Sequence, residues 1–224
     1  MASAVDICNL ALAHLGDTAT VSSISPPEGS TQASHCARFY PMARNALLEM
    51  HTWGFATKRA ALALNSTNAT STWDYAYTPP SDAMNYIAVL DPEATDEYSS
   101  AVAVTGAGPN GFPNINLGVY TPQNFEVETD DEGNDVIYTN VEDAVLRYTF
   151  VATDTTKFTP LFVLALSHML ASMLAGPLLK GESGERAASD QLKKAGMFTE
   201  KAKASDASQR QVRPTHGAAW MIRR

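Results

Sequence analysis

The chain has 224 residues, of which 45% are hydrophobic and 18% charged, and its formal net charge is −8. This composition is typical of folded globular proteins and excludes a disordered or fibrous chain. The charge is uneven, because residues 180–224 hold 10 of the 16 basic side chains and residues 1–179 hold 19 of the 24 acidic ones. The acidic body argues against duplex DNA recognition by the body, and the basic end suggests a segment with a partner.

The first 50 residues predict two helices. Ser3 and Asp6 form an approximate capping box, and apolar residues follow them at helical spacing. A second helix is predicted over Thr31–Met50, where apolar side chains again recur at steps of three and four. Pro41 lies inside this pattern and removes a backbone hydrogen bond, so we expect a kink near Ala37.

Residues 66–154 are rich in turns, β-branched residues and aromatic residues, and they predict a β-rich region. The preceding segment, Phe55–Leu64, is ambiguous between helix and strand by its pattern alone. The acidic segment Asp130–Asn134 lies between two alternating runs and predicts a hairpin turn. The predicted strands are Trp73–Tyr77, Tyr86–Leu90, Ala101–Thr105, Asn124–Thr129, Asp135–Thr139 and Ala144–Val151.

Phe158–Leu179 is the longest apolar run in the sequence. Thr159 is suited to cap a helix, and Pro160 is suited to its first position. Because almost no polar face remains, this helix must be buried on most sides, in a protein core or in a bilayer. Ser167 and His168 interrupt the run and no basic cluster flanks it, so the pattern favours a core helix.

The end of the chain predicts a break, a polar helix and a tail. Gly176-Pro177 and Gly181 predict the break after the core helix. A fourth helix is predicted over Ser183–Ala207, with a thin stripe that can cover one side of a bundle. Residues 208–224 have no periodicity and predict an extended tail. The stripe consists of Ala188, Leu192, Ala195 and Ala202.

Two sequence patterns resemble ligand sites without fitting them. Residues 106–111 spell G-x-G-x-x-G after a predicted strand, but Pro109 and Pro113 prevent the helix that a dinucleotide-binding motif requires. The acidic turn at residues 130–135 could hold calcium, but Gly133 is at the wrong place for an EF-hand loop. The sequence therefore favours a loop and a solvated hairpin over a nucleotide site and a calcium site.

The histidines and cysteines predict no catalytic or metal site. The five histidines lack metal-ligand spacing, and His168 is expected to be a hydrogen-bonded core residue. Cys8 and Cys36 lack C-x-x-C spacing and are expected to be reduced core residues. We therefore predict neither an enzyme nor a bound cofactor or metal.

Four blocks of residues carry a resemblance to a known family. Each block is a packing pattern, and the signal lies in their joint occurrence in this order and at this spacing. They resemble the head-to-tail adaptor proteins of short-tailed bacteriophages, usually called tail tubular protein A, over roughly residues 4–200. The blocks are Ile7-Cys8-Asn9-Leu10-Ala11-Leu12 with Leu15-Gly16; Phe39-Tyr40-Pro41 with Ala43-Arg44, Leu47-Leu48, Trp53, Phe55-Ala56 and Arg59; Trp73-Asp74-Tyr75-Ala76-Tyr77 with Pro80; and Phe158-Thr159-Pro160-Leu161-Phe162 with Ala165-Leu166 and Leu174-Ala175.

The resemblance implies an α+β fold. Both chain ends build a helical bundle, and a β-rich insertion lies between the second and third helices. The predicted domains are residues 1–54 with 157–207 for the bundle, 55–156 for the insertion and 208–224 for an extended C-terminal arm. The resemblance also implies that Phe55–Leu64 is a strand that leaves the bundle.

The resemblance further implies a structural virion protein, made in the host cytoplasm and located at the head–tail junction. Twelve copies would form a ring below the portal that continues the DNA channel into the tail. The expected partners are the portal protein, the tail nozzle or tube protein and further copies of the chain. DNA would pass without specific binding, and no membrane contact is expected.

An adaptor needs a segment that reaches its portal, and the basic C-terminal arm suits this task. Arginines can steer and pair with acidic groups, and a tryptophan can anchor in an apolar groove. A disordered basic end is the alternative that the arm's composition alone favours. The expected portal-binding residues are Arg210, Arg213, Trp220, Met221, Arg223 and Arg224.

Two alternative functions remain open at the level of sequence. The first is a neck or head-completion protein of another phage type, which would share the ring but have other partners. The second is a nucleotide- or calcium-binding protein that uses the glycine segment 106–111 or the acidic turn 130–135.

Overall fold

The structure, a computed structural model, describes residues 2–18, 20–65, 72–92, 100–107, 113–119 and 123–209. It has the mixed α+β composition that the sequence predicts. Contacts between residues divide the chain into two compact units. The first combines the chain up to Thr57 with the segment that begins at Phe150, and the described residues of the second are 58–65, 72–92, 100–107, 113–119 and 123–149.

Four helices lie in the described part of the first unit. Helix α3 contacts each of the other three helices, so the first unit packs around it. The helices are α1 Ala4–His14, α2 Thr31–Glu49, α3 Pro160–Leu179 and α4 Gly181–Ala207.

Local sequence determines where the helices begin. The Oγ of Ser3 accepts a hydrogen bond from the N–H of Asp6 at 3.1 Å, and the Asp6 carboxylate accepts one from the N–H of Ser3 at 2.8 Å. The predicted capping box is therefore confirmed. At α3, the Oγ1 of Thr159 accepts from the N–H of Phe162, and Pro160 occupies the first turn, where no N–H is needed.

The prediction that Phe158–Leu179 holds a buried core helix is confirmed for α3. Phe162, Leu166, Leu170 and Leu174 are fully buried on it. By length and composition, α3 is the one helix in the described ranges that could cross a membrane, with a mean hydropathy of 1.8. However, 50% of that apolar stretch is buried inside the fold, where the other helices cover it.

The predicted break after the core helix is partly wrong. Gly176 and Pro177 lie inside α3, which continues to Leu179. A proline in the last turn removes a single hydrogen bond, and the burial of the helix outweighs this loss. The chain turns instead at Lys180 and Gly181, where φ is positive at 53° and 59°, and α4 begins two residues before the predicted start.

The buried face of α4 is more polar than the predicted stripe. Leu192 is 52% exposed, so its assignment to that stripe is wrong, whereas Ala195 and Ala202 are buried as expected. Gly184 is also on the buried face, and a Cβ there would lie 3.0 Å from the carbonyl oxygen of Ala175, so a glycine permits the close approach of α3 and α4. The buried residues are Gly184, Gln191, Ala195, Thr199, Ala202 and Asp206.

The described strands form three sheets. A three-stranded sheet has the order β1-β9-β4, a four-stranded sheet has the order β2-β3-β8-β7, and β5 pairs with β6 alone. The pairs β2–β3, β3–β8, β7–β8 and β5–β6 are antiparallel. The strands are β1 Thr57–Ala61, β2 Ala63–Leu64, β3 Tyr75–Thr78, β4 Ala83–Leu90, β5 Ser100–Ala107, β6 Pro113–Val119, β7 Phe125–Thr129, β8 Asp135–Thr139 and β9 Val145–Phe150.

Most predicted strands coincide with observed ones, and two predictions need correction. Trp73 and Asp74 precede β3 and do not belong to it. The segment Phe55–Leu64 is not one strand, because Gly54–Ala56 is a 3-10 turn and two short strands follow it. Strand β6 was not expected, since Asn114, Asn116 and Gly118 weaken the pattern of a strand.

Candidate functional site

The six predicted portal-binding residues, from Arg210 to Arg224, lie outside the described residues. The structure does describe where the arm starts. Helix α4 ends at Ala207, and Ser208 and Gln209 form a turn after it. The geometry that positions the arm is therefore that of the last turn of α4.

A buried carboxylate fixes that last turn. Asp206 is 6% exposed, and its Oδ1 accepts a hydrogen bond from the N–H of Gly54 at 3.0 Å. The Nε2 of His51 lies 3.2 Å from the Oδ2 of Asp206. A Cβ at position 54 would lie 3.2 Å from the same carboxylate, so the site favours glycine. The start of the arm is thus joined to the corner after α2.

Four aromatic side chains form a cluster at this corner. The ring centroids of Trp53 and Phe162 are 5.1 Å apart, and those of Phe55 and Phe158 are 5.5 Å apart. The indole N–H of Trp53 donates to the carbonyl of Leu47 at 2.8 Å, so this buried polar group is satisfied. The cluster joins the second and fourth sequence blocks, which are about a hundred residues apart along the chain.

A polar network links α1, α3 and α4 inside the first unit. The Nδ1 of His168 lies 2.7 Å from the Oε1 of Gln191, and the Nε2 of Gln191 donates to the carbonyl of His14 at 2.9 Å. The rings of His14 and His168 stack with centroids 3.9 Å apart. The prediction that His168 is a hydrogen-bonded core residue is therefore confirmed.

His14 and Ser167 resemble a base and a nucleophile, but their environment argues against this chemistry. The Nε2 of His14 lies 3.1 Å from the Oγ of Ser167. The Ser167 hydroxyl donates to the carbonyl of Leu164, and the residue is fully buried, so no substrate could reach it. Burial and the neighbouring His168 and Lys194 lower the pKa of His14 to about 4. The pair therefore serves packing.

The cysteines and a neighbouring tyrosine belong to the core. Cys8 and Cys36 are free and buried, as predicted. The contact with Cys36, together with burial, raises the pKa of the Cys8 thiol, which disfavours a reactive thiolate. Burial also raises the pKa of Tyr40 to about 12, and its hydroxyl has no hydrogen-bond partner among the described residues.

The glycine segment lies between paired strands. Gly106 is in β5, and Ala107 pairs with Pro113 at the start of β6, which is antiparallel to β5. A dinucleotide-binding motif requires a helix after its glycines, and here a strand follows. Residues 108–112 of the segment lie outside the described residues.

The acidic turn between β7 and β8 is closed by its own hydrogen bonds, as a hairpin turn is. The Oδ1 of Asp130 accepts from the N–H groups of Glu132 and Asn134 at 3.0 and 2.8 Å. Gly133 has a φ of +85°, a conformation that glycine adopts easily. No group of three or more potential metal ligands occurs within the described ranges.

Sequence reasoning missed the residues that organise these contacts. Asp206 was not singled out, although it follows Thr199 and Ala202 at helical spacing on the buried face of α4. Gln191 was missed because it is polar and lies at a position of the buried face where an apolar residue is expected. A search for polar residues at the spacing of a buried stripe would have found both.

Comparison with known proteins assigns no family. No family model matches the chain, and no curated protein matches its sequence significantly.

Proposed function

We propose that this protein is a structural subunit of the ring that joins the portal to the tail in a short-tailed bacteriophage. About twelve copies would form the ring at the head–tail junction of the virion, after synthesis in the host cytoplasm. Its partners would be the portal protein above, the tail nozzle or tube protein below and the neighbouring copies.

The aromatic cluster is the observation that carries the proposal. The resemblance rests on blocks that are distant in sequence, and the second and fourth blocks contribute Trp53, Phe55, Phe158 and Phe162 to one packed group. Residues that build one core in this way support a shared fold better than scattered identities do. The rings also contact one another at the centroid distances that aromatic pairs prefer.

The order of the elements supports a bundle with an insertion. Helices α1 and α2 precede the strands and α3 and α4 follow them, and α3 contacts the other three helices. We propose that the four helices form the adaptor bundle and that the strands form its β-rich insertion. The C-terminal arm, residues 208–224, would then extend from the bundle.

The charge of the chain suits a channel through which DNA slides. Carboxylates on a channel wall repel phosphates and prevent the DNA from adhering. The β7–β8 hairpin carries a cluster of exposed carboxylates that could serve in such a wall. Its exposed carboxylates include those of Glu126, Glu128, Asp131 and Glu132.

Particles that lack this protein test the proposal. Electron microscopy of particles assembled without it should show heads filled with DNA but without tails. Complementation with the intact gene product should restore tails. Tailed particles that form without the protein would contradict the adaptor role.

The alternative functions predict different results. A neck protein of another phage type would form a ring but would not bind the portal of a short-tailed phage. A nucleotide- or calcium-binding protein would be stabilised by about 2.7 kcal/mol at a ligand concentration of one hundred times Kd. That stabilisation would raise the melting temperature. We expect ATP, NAD and Ca²⁺ to leave the melting temperature of this protein unchanged.

A further inference from the structure

Side chains from three helices of the first unit meet in one stacked, hydrogen-bonded group. The rings of His14 on α1 and His168 on α3 are almost parallel, with centroids 3.9 Å apart. Phe198 on α4 also stacks on His168, at 5.2 Å between centroids. Gln191 on α4 joins the two histidines by hydrogen bonds. These four residues, His14, His168, Gln191 and Phe198, are called the histidine junction below.

The hydrogen bonds determine which nitrogen of each imidazole carries a proton. The Nε2 of Gln191 donates to the carbonyl of His14, so its Oε1 faces His168 and accepts from the Nδ1–H of that ring at 2.7 Å. The Ser167 hydroxyl gives its one proton to the carbonyl of Leu164, so it accepts from the Nε2–H of His14 at 3.1 Å. In the neutral state, one unprotonated nitrogen therefore remains on each ring: Nδ1 of His14 and Nε2 of His168.

A proton added to either ring meets positive charge and no negative charge. In the described part of the chain, no carboxylate pairs with either imidazole, and α2 contributes no charged group that contacts them. Helix α4 contributes Lys194 and also Lys201, whose Nζ lies 5.4 Å from the centroid of the Phe198 ring. Burial, the neighbouring His168 and Lys194 together lower the pKa of His14 to about 4.

The first half of α4 depends on the histidine junction for its attachment. Between Gly181 and Gln191 only these are buried: Gly184 and Gln191 itself. A glycine buries little apolar surface, so hydrophobic burial holds this segment weakly. The helix follows Lys180, whose φ of 53° is unfavourable for a residue with a Cβ, and no side chain at that position caps the helix. A segment of this kind opens locally at low cost.

We propose that the histidine junction is an acid-sensitive latch, which releases the first half of α4, residues 181–195, when a proton adds to His14 or His168. The proton creates a cation against a second imidazole and near Lys194, and opening relieves the repulsion by exposing the cation to water. The open state therefore binds protons that the closed state excludes. The stability of the closed state is complete above the ordinary histidine pKa of 6.5 and is lost as the pH falls toward 4.

The last turn of α4 responds to acid in the opposite sense. The Nε2 of His51 lies 3.2 Å from the carboxylate of Asp206, so a proton on His51 adds an attraction there. Mild acid therefore loosens one end of α4 while the other end stays attached. This difference distinguishes a latch from a general loss of stability. The latch is a property of the single chain and goes beyond the proposed function, so its test does not depend on whether the chain forms a ring.

Hydrogen exchange of the full-length protein, measured by mass spectrometry at pH 7.5 and pH 5.0, tests the latch. Protection factors are corrected for the pH dependence of the chemical exchange rate. His14→Gln removes one titrating ring but keeps a side-chain donor for Ser167 and the main-chain carbonyl that Gln191 binds. His35→Gln is the matched control, because His35 stacks on Phe39 within α2 and is not part of the histidine junction.

We expect the protection of residues 185–195 to fall at least about tenfold between pH 7.5 and pH 5.0 in the wild type and in His35→Gln. Residues 202–206 should change by less than about twofold, and His14→Gln should reduce the fall at 185–195 to less than about threefold. An unchanged protection of 185–195 in the wild type would overturn the proposal. An equal fall at both ends of α4, or a fall in His14→Gln as large as in the wild type, would also overturn it.

Gln191→Ala provides a second test that does not require His14→Gln to fold. Circular dichroism verifies the folding of each variant. Without the Gln191 amide the latch cannot close, so residues 185–195 should already be poorly protected at pH 7.5 and should lose little more at pH 5.0. Residues 202–206 should stay protected. Wild-type protection of 185–195 in Gln191→Ala at pH 7.5 would show that the histidine junction does not hold the helix.

Discussion

The carboxylate of Asp206 accepts a hydrogen bond from the backbone N–H of Gly54, although 152 positions separate these residues. The bond joins the last turn of α4 to the corner that follows α2. His51 lies against the same carboxylate, and Trp53 contacts His51 edge to face. The C-terminal arm therefore starts from a fixed point and not from a frayed helix end.

We predict that Asp206→Ala lowers the free energy of unfolding by about 1–3 kcal/mol, because it leaves the N–H of Gly54 without its acceptor. Urea denaturation measures this change. Asp190→Ala on the same helix is the control, because the Asp190 side chain is 68% exposed and its removal should cost less than about 0.5 kcal/mol. Equal losses for the two variants would show that the contact with Gly54 contributes nothing.

The second prediction concerns stability at acid pH. The pKa of His14 is lowered to about 4 by burial and by His168, whereas an unfolded histidine has a pKa near 6.5. Between these values the unfolded chain binds a proton that the folded chain does not. The stability that neutral His14 contributes is therefore complete above the unfolded pKa and is lost as the pH falls toward 4.

Urea denaturation of the wild type and of His14→Gln at pH 7.5 and pH 4.5 isolates this effect. The wild type should lose more stability than the variant, by about 1–2 kcal/mol after solvent screening of this partly exposed residue. Parallel losses in both proteins would mean that His14 titrates normally in the folded chain.

We predict that Leu166→Asp or Leu170→Asp prevents folding at room temperature. Both leucines are fully buried on α3, and an unpaired carboxylate there costs several kcal/mol. Glu132→Ala, in the exposed β7–β8 turn, should change stability by less than about 0.5 kcal/mol. Thermal denaturation compares the three variants, and similar melting temperatures would contradict the role of α3 as the core helix.

We predict that the free protein is a monomer or a weak oligomer. The exposed face of α4 carries only two large apolar side chains, Leu192 and Met197, so it offers no seam for a permanent coiled coil. Sedimentation velocity at micromolar concentration measures the oligomeric state of the free protein directly. A stable ring without portal would refute it.

The helices could be predicted well because their signals are local. The capping box of Ser3 and Asp6 and the start of α3 at Thr159 and Pro160 depend on residues within one turn. The boundary after α3 was harder, because burial of the helix outweighs the breaking tendency of Pro177. Local propensity competes there with tertiary packing.

The contacts around Asp206 could not be predicted, because they join residues that no pattern connects. A buried carboxylate is stable only when donors from elsewhere in the chain surround it, and Gly54 and His51 are such donors. The exposure of Leu192 was missed for a related reason. The buried face of α4 includes three polar residues, Gln191, Thr199 and Asp206. Leu192 therefore lies on the exposed face of the helix.

Binding of the protein to purified portal rings tests the central claim most directly. Mass photometry and electron microscopy of the mixture should show about twelve copies on each portal, arranged as one ring. A variant that ends at Gln209 should remain folded and should lose this binding, whereas Met197→Glu should retain it. Portal rings that stay bare at saturating protein would contradict the account, as would a truncated variant that binds with unchanged affinity.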